Sequence, residues 1–127
     1  MQVPNFSLSG KTALVTGGNG GIGLGFARGL VANGANVVIW GTNAEKNAAA
    51  TAELSALTKE TKGGAVAARV CDVGDQTQVS AGFADAAAQF GRVDAVFVNA
   101  GIAGRGIPFH EMPADEWHRV MRVNLDG

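Results

Sequence analysis

The run Thr16-Gly17-Gly18-Asn19-Gly20-Gly21-Ile22-Gly23 has the composition of a phosphate-binding turn. It follows an apolar stretch, Ala13-Leu14-Val15, and precedes apolar residues repeated at helical spacing. A strand that enters a glycine turn and leaves as a helix presents unpaired N–H groups and the positive end of the helix dipole together. A pyrophosphate is the group such an end attracts. Glycine suits the turn because a Cβ would hold the backbone off the phosphates and forbid a positive φ. The glycines satisfy several spacings at once. Gly18, Gly20 and Gly23 make G-x-G-x-x-G. Behind Thr16, the set Gly17, Gly21 and Gly23 makes T-G-x-x-x-G-x-G, and the set Gly17, Gly20 and Gly23 makes T-G-x-x-G-x-x-G. A tight turn with no ligand is the bland alternative, and the turn alone does not choose.

Four more places carry groups of interest. Trp40-Gly41-Thr42-Asn43 closes the second apolar run, Cys71-Asp72-Val73 the third, and Asn99-Ala100-Gly101 the fourth; Arg122-Val123-Asn124-Leu125 lies near the end. At the end of a second strand, an acid would bind a ribose 2′-hydroxyl, and a base would accept a 2′-phosphate. Gly41 offers neither, but it removes an anion that would repel a phosphate, and Thr42 and Asn43 have donors for one. That tips the reading towards NADP(H) over NAD(H). His110 and His118 lack metal-like spacing and cysteine partners, so no metal site is expected. Cys71 reads as a packing residue, and Trp117 as helix-face core or an oligomer contact.

The elements that must position these groups follow from periodicity. Residues 1–10 are a lead-in, with a turn at Ser9-Gly10. Strands are expected at 11–16, 36–40, 65–70 and 95–99, helices at 21–32, from 44 to about 59, at 77–90 and from about 113. Asn33-Gly34 stops the first helix. This β-α alternation calls for parallel strands joined by right-handed crossovers, with helices on both faces. The class is α/β, a doubly wound parallel sheet of four strands and about four helices, and residues 1–127 read as one unit.

Composition limits the alternatives. Apolar residues make up 46% of 127, enough to expect a folded core. Ten basic against eleven acidic residues, without long runs, argue against nucleic acid as a partner. A single cysteine excludes an internal disulfide and fits a reducing, cytoplasmic setting. No apolar stretch approaches the roughly 20 residues of a membrane span.

Taken together, the motifs resemble the short-chain dehydrogenase/reductase family over nearly all of residues 8–127. Asp72-Val73 stands where that family sets an acid against adenine. Asn99-Ala100-Gly101 resembles its N-N-A-G, with Val98 replacing the first asparagine. Arg122-Val123-Asn124-Leu125 resembles the segment that carries the asparagine of its Asn-Ser-Tyr-Lys tetrad. The extended, epimerase-like relatives show an H-x-A-A type sequence instead of Asn99-Ala100-Gly101. The resemblance implies a Rossmann-type NAD(P)-binding domain in which Gly17, Asn19, Gly21, Ile22 and Gly23 line the pyrophosphate and adjoining ribose. Asp72 and Val73 would hold the adenine, and Asn99, Ala100 and Gly101 would wall the ribose. Asn124 would shape its helix and hold a water of the proton relay, as the one catalytic residue present.

In that family a tyrosine gives the proton that hydride transfer to a carbonyl requires, and a serine holds the carbonyl oxygen. This chain has no tyrosine, and its serines all precede residue 81. The expectation is therefore the cofactor-binding half of a longer, homo-oligomeric reductase acting on a small carbonyl or secondary alcohol, itself inactive, with strand four (Val96, Phe97, Val98) left as an apolar edge. The competing reading is a stand-alone dinucleotide-binding or redox-sensing module.

Overall fold

The computed structural model describes residues 6–127, so the first half of the expected lead-in lies outside the described residues. The chain alternates β1 (Thr12–Thr16), α1 (Gly21–Ala32), β2 (Asn36–Gly41), α2 (Ala44–Thr61), β3 (Val66–Val70), α3 (Gln76–Phe90) and β4 (Ala95–Phe97), then α4 (Ala114–Asn124). A single 3-10 turn, Phe109–Glu111, precedes α4 and was not expected from the sequence. The strands are parallel, in the order β3-β2-β1-β4. From β1 the chain builds outwards to β3 on one side and then returns to lay β4 on the other. That reversal opens a crevice beyond the carboxyl ends of β1 and β4.

Both faces of the sheet are covered, because successive strand residues point to opposite sides. Val15, Val37 and Ile39 pack under Ala27 and Val31 of α1 and Ala50 and Leu54 of α2. Leu14, Val38 and Trp40 face the other way, with Cys71 and Ala86 of α3. All five β1 residues are buried, so this central strand is apolar on both sides. Asn43 caps α2 by accepting from the Lys46 N–H at 2.9 Å, and Asp75 caps α3 by accepting from Thr77 and Gln78.

The differences from expectation have local causes. Helix α2 runs on to Thr61, and Lys62 rather than a glycine takes the left-handed position, at φ 53. Gly64 has another task, since a Cβ there would overlap the Asn36 amide. Strand β4 stops at Phe97 rather than 99, because the Asn99 and Ala100 N–H groups turn to the Thr16 hydroxyl. Among the described residues β4 pairs with β1 alone and leaves Val96 partly exposed, the edge anticipated above; Val98, just beyond it, is 76% exposed. On α4 the one fully buried side chain is Glu116, while Trp117 is half-exposed and not core. Among the described residues no helix is long and apolar enough to cross a membrane.

Candidate functional site

The glycine turn is held between β1 and β4 by one hydroxyl. Thr16 Oγ1 accepts from the Asn99 N–H at 3.0 Å and the Ala100 N–H at 2.9 Å. The Asn99 side-chain amide answers by donating to the Thr16 carbonyl at 3.0 Å. Gly17 has φ 63, and Gly23 packs so closely that a Cβ would overlap the Gly17 carbonyl and the Asn99 amide. Gly20 precedes α1 and supplies no side-chain cap. The first-turn N–H groups of α1, having no intrahelical partner, are therefore left for a bound anion. Gly21 and Ile22 lie exposed at this end, with open space beside Gly21.

Beneath the turn a cleft of 410 Å³ opens along the carboxyl ends of the strands. Gly17, Asn19, Thr42, Asn43, Asp72 and Val73 line it, with Ala100 and Gly101 on the β4 side. The structure thus brings together most of the residues singled out from sequence. Gly23 and Asn99 stand behind the turn and shape it rather than face the cleft.

Asp72 is already engaged: one oxygen accepts from the Gly74 N–H at 2.9 Å, and the other pairs with the Arg122 guanidinium at 3.0 Å. A carboxylate has about four acceptor positions, so capacity for a further donor remains. Asn124 is 22 residues from Ile102 in sequence and bonds to it twice. Its Oδ1 accepts from the Ile102 N–H at 2.8 Å, and its Nδ2 donates to the Ile102 carbonyl at 2.9 Å. It ties α4 to the loop that leaves β4. Cys71 is buried against the sheet, and that burial pushes its thiol up, in keeping with a packing role.

Several residues of the site escaped the sequence reading. Lys46, Arg119 and Arg122 also line the cleft and supply its positive charge. Asn47 is buried and accepts from the Asn19 side-chain amide at 2.8 Å. Glu116 is 1% exposed and accepts four bonds, two from the loop after Gly101 and two from Arg119 of its own helix. It accepts from the Arg105 N–H at 2.7 Å and Nε at 2.8 Å, and from Arg119 Nη2 at 2.9 Å and Nε at 3.0 Å.

The Arg119 hydrogen bond, followed by those from Arg105, pulls the Glu116 carboxyl down to about 2 against the opposing effect of burial. The group is more acidic folded than unfolded, so its contribution to stability is complete above about 4.5 and disappears as pH falls to about 2. Thermal unfolding between pH 6 and pH 2.5 should show a steeper loss of Tm in the native chain than in Glu116→Gln. Equal slopes would mean that the buried clamp is not what titrates.

A parallel sheet whose strand order reverses beside a glycine turn defines the dinucleotide-binding type of doubly wound α/β fold. The sequence profile of the short chain dehydrogenases matches residues 11–127, and the chain belongs to that family. It is 36% identical over 119 residues to 2-dehydro-3-deoxy-L-rhamnonate dehydrogenase (NAD(+)) of Sphingomonas sp. (strain SKA58), covering 94% of this chain and 44% of that protein. The fold superposes on NAD+-bound xylitol dehydrogenase with a TM-score of 0.84 at 31% identity, covering 93% of this chain and 44% of that one. It also superposes on a metagenomic short-chain oxidoreductase in complex with NADP, with a TM-score of 0.83 at 36% identity over 94% and 52% of the two chains. The chain spans about half the length of these relatives.

Proposed function

We propose that this chain holds the cofactor of an NAD(P)-dependent oxidoreductase acting on a small carbonyl or secondary alcohol. The observation that carries the reading is the 410 Å³ cleft, set at the carboxyl ends of the strands beside the uncapped start of α1. The family relationship and the NAD+- and NADP-bound relatives support it. When bound, the nicotinamide supplies or accepts the hydride.

The chain's own residues bind and orient. The N–H groups of Gly21, Ile22 and Gly23, with the backbone at Gly17 and the side chain of Asn19, meet the pyrophosphate and the adjoining ribose. Asp72 accepts from the adenine amino group beside Val73, and Ala100 and Gly101 wall the ribose, with Asn99 bracing that wall from behind through the Thr16 carbonyl. Asn124 acts by holding the Ile102 backbone, which keeps that wall in place. Thr42 and Asn43 border the 2′ position, where Lys46 adds a cation. This favours NADP(H). Without a tyrosine the chain has no counterpart of the family's proton donor, so binding without turnover is the expected behaviour. The buried lone thiol fits a cytoplasmic setting, and a homo-oligomeric parent remains part of this reading.

Titrating the purified chain with NADPH and NADH, followed by cofactor fluorescence, tests the proposal. Saturable binding, tighter for NADPH, is expected, with no turnover of a carbonyl panel. A chain that unfolds cooperatively yet binds neither nucleotide would sink it. Lys46→Ala should weaken NADPH by about tenfold through loss of a charge-assisted contact and leave NADH nearly unchanged. Equal losses for both cofactors would remove Lys46 from the 2′ position.

A further inference from the structure

We infer that the Asn19–Asn47 amide pair determines cofactor preference by keeping position 41 closed to any side chain. The inference rests on the dinucleotide site proposed above. In such a site the selecting group stands at the end of the second strand, about 20 residues beyond the glycine turn, where a carboxylate binds a 2′-hydroxyl and repels a 2′-phosphate. Gly41 is the last residue of β2 and lines the cleft.

Backbone conformation does not require glycine there, since Gly41 is absent from the positive-φ positions of the chain. Space does. A Cβ at 41 would overlap Asn19 Nδ2 and Asn47 Oδ1, the two atoms of a 2.8 Å hydrogen bond. The bond runs through the volume where a side chain would begin.

Neither partner can step aside without loss. Asn47 is 4% exposed, and its Nδ2 donates to the Gly41 carbonyl at 3.0 Å and the Arg69 carbonyl at 3.1 Å. These bonds tie the end of β2 to the end of β3. Turning the Asn47 amide over would set its oxygen against two carbonyl oxygens. Swinging Asn19 away would leave the buried Asn47 oxygen without its donor. A carboxylate at 41 is therefore excluded by packing as well as being absent from the sequence. Position 41 itself therefore carries no charge, and Lys46 lines the same cleft. Asn47 is a positioning residue here, acting through Asn19 and Gly41.

The test compares Gly41→Asp alone with Gly41→Asp combined with Asn47→Ala, using calorimetric titration with NADPH and NADH. Far-UV circular dichroism checks folding. Gly41→Asp alone is expected to lose about tenfold or more for both cofactors, as overpacking disturbs the turn. Adding Asn47→Ala frees Asn19 to rotate, so NADH affinity should recover by about tenfold while NADPH stays weak. If Gly41→Asp does not fold, Gly41→Ala introduces the Cβ alone. It should shift the Asn19 side-chain amide signal in nitrogen-15 NMR with no cofactor present, and an unmoved signal overturns the inference. So does a Gly41→Asp chain that binds NADH as well as the native chain binds it, or a double variant that recovers nothing. A native chain that binds NADPH while Gly41→Asp alone gains NADH overturns the inference and leaves the site standing. A folded native chain that binds neither cofactor overturns both.

Discussion

Gly23→Ala is expected to destabilise the chain by about 1–3 kcal/mol, although alanine is the better helix former. Gly23 lies in the first turn of α1, where propensity alone would reward the change by roughly 1 kcal/mol. The methyl group, however, would overlap the Gly17 carbonyl and the Asn99 side-chain amide. Neither neighbour can yield cheaply. Gly17 already sits at φ 63, and Asn99 is committed to the Thr16 carbonyl at 3.0 Å. The strain therefore passes into the turn whose N–H groups would meet the pyrophosphate, and NADPH binding should fall with stability. Urea denaturation measures the first effect and calorimetry the second. A variant as stable as the native chain would show that the helix start has room to spare.

Thr16→Val carries the next largest expected effect. The side chain is 5% exposed and nearly the same shape as valine, so packing changes little. Its hydroxyl accepts from both the Asn99 and the Ala100 N–H groups. Without it, two backbone donors beside the cleft lose their protein partner, at a cost of about 1–3 kcal/mol. Thr16→Ser, which keeps the hydroxyl, should recover most of that loss. The urea midpoint should fall for valine with an unchanged slope, meaning that stability and not compactness has altered. If valine is as stable as the native chain, or less destabilised than serine, the methyl group matters more than the bonds and the clasp between β1 and β4 is not held chiefly by this oxygen.

Much of this architecture was legible because its signals are local. The apolar run before Thr16, the glycines, and the helical repeat after them lie within one stretch of chain. Val37-Val38-Ile39 reads as the core of the second strand, and the structure buries each of the three. Asp72 and Asn99 could be found because each closes a recognisable strand.

The misses are residues whose burial depends on distant parts of the chain. Asn47 lies in an alanine-rich helix and looks like any solvated asparagine. Only the meeting of the β2 and β3 ends, through the Gly41 and Arg69 carbonyls, gives its amide a reason to be buried. The available clue was Gly41 itself, a glycine at a strand end where no turn demanded one. Glu116 with Arg119 reads as an ordinary surface pair at i, i+3. It becomes buried because the loop carrying Arg105 folds back over α4. Lys46 falls on the solvated side of α2 by periodicity, yet it borders the cleft because the N-cap at Asn43 aims the helix start there.

A bound dinucleotide is expected to lie along the strand ends under the glycine turn. Amide chemical-shift mapping of the nitrogen-15-labelled chain during NADPH titration tests it most directly. Saturable shifts are expected at residues 17–23, 41–46, 72–73 and 99–101, with the outer face of α3 unmoved. A folded chain in which those signals stay still, or in which the shifts gather instead on the outer face of α3, would contradict it.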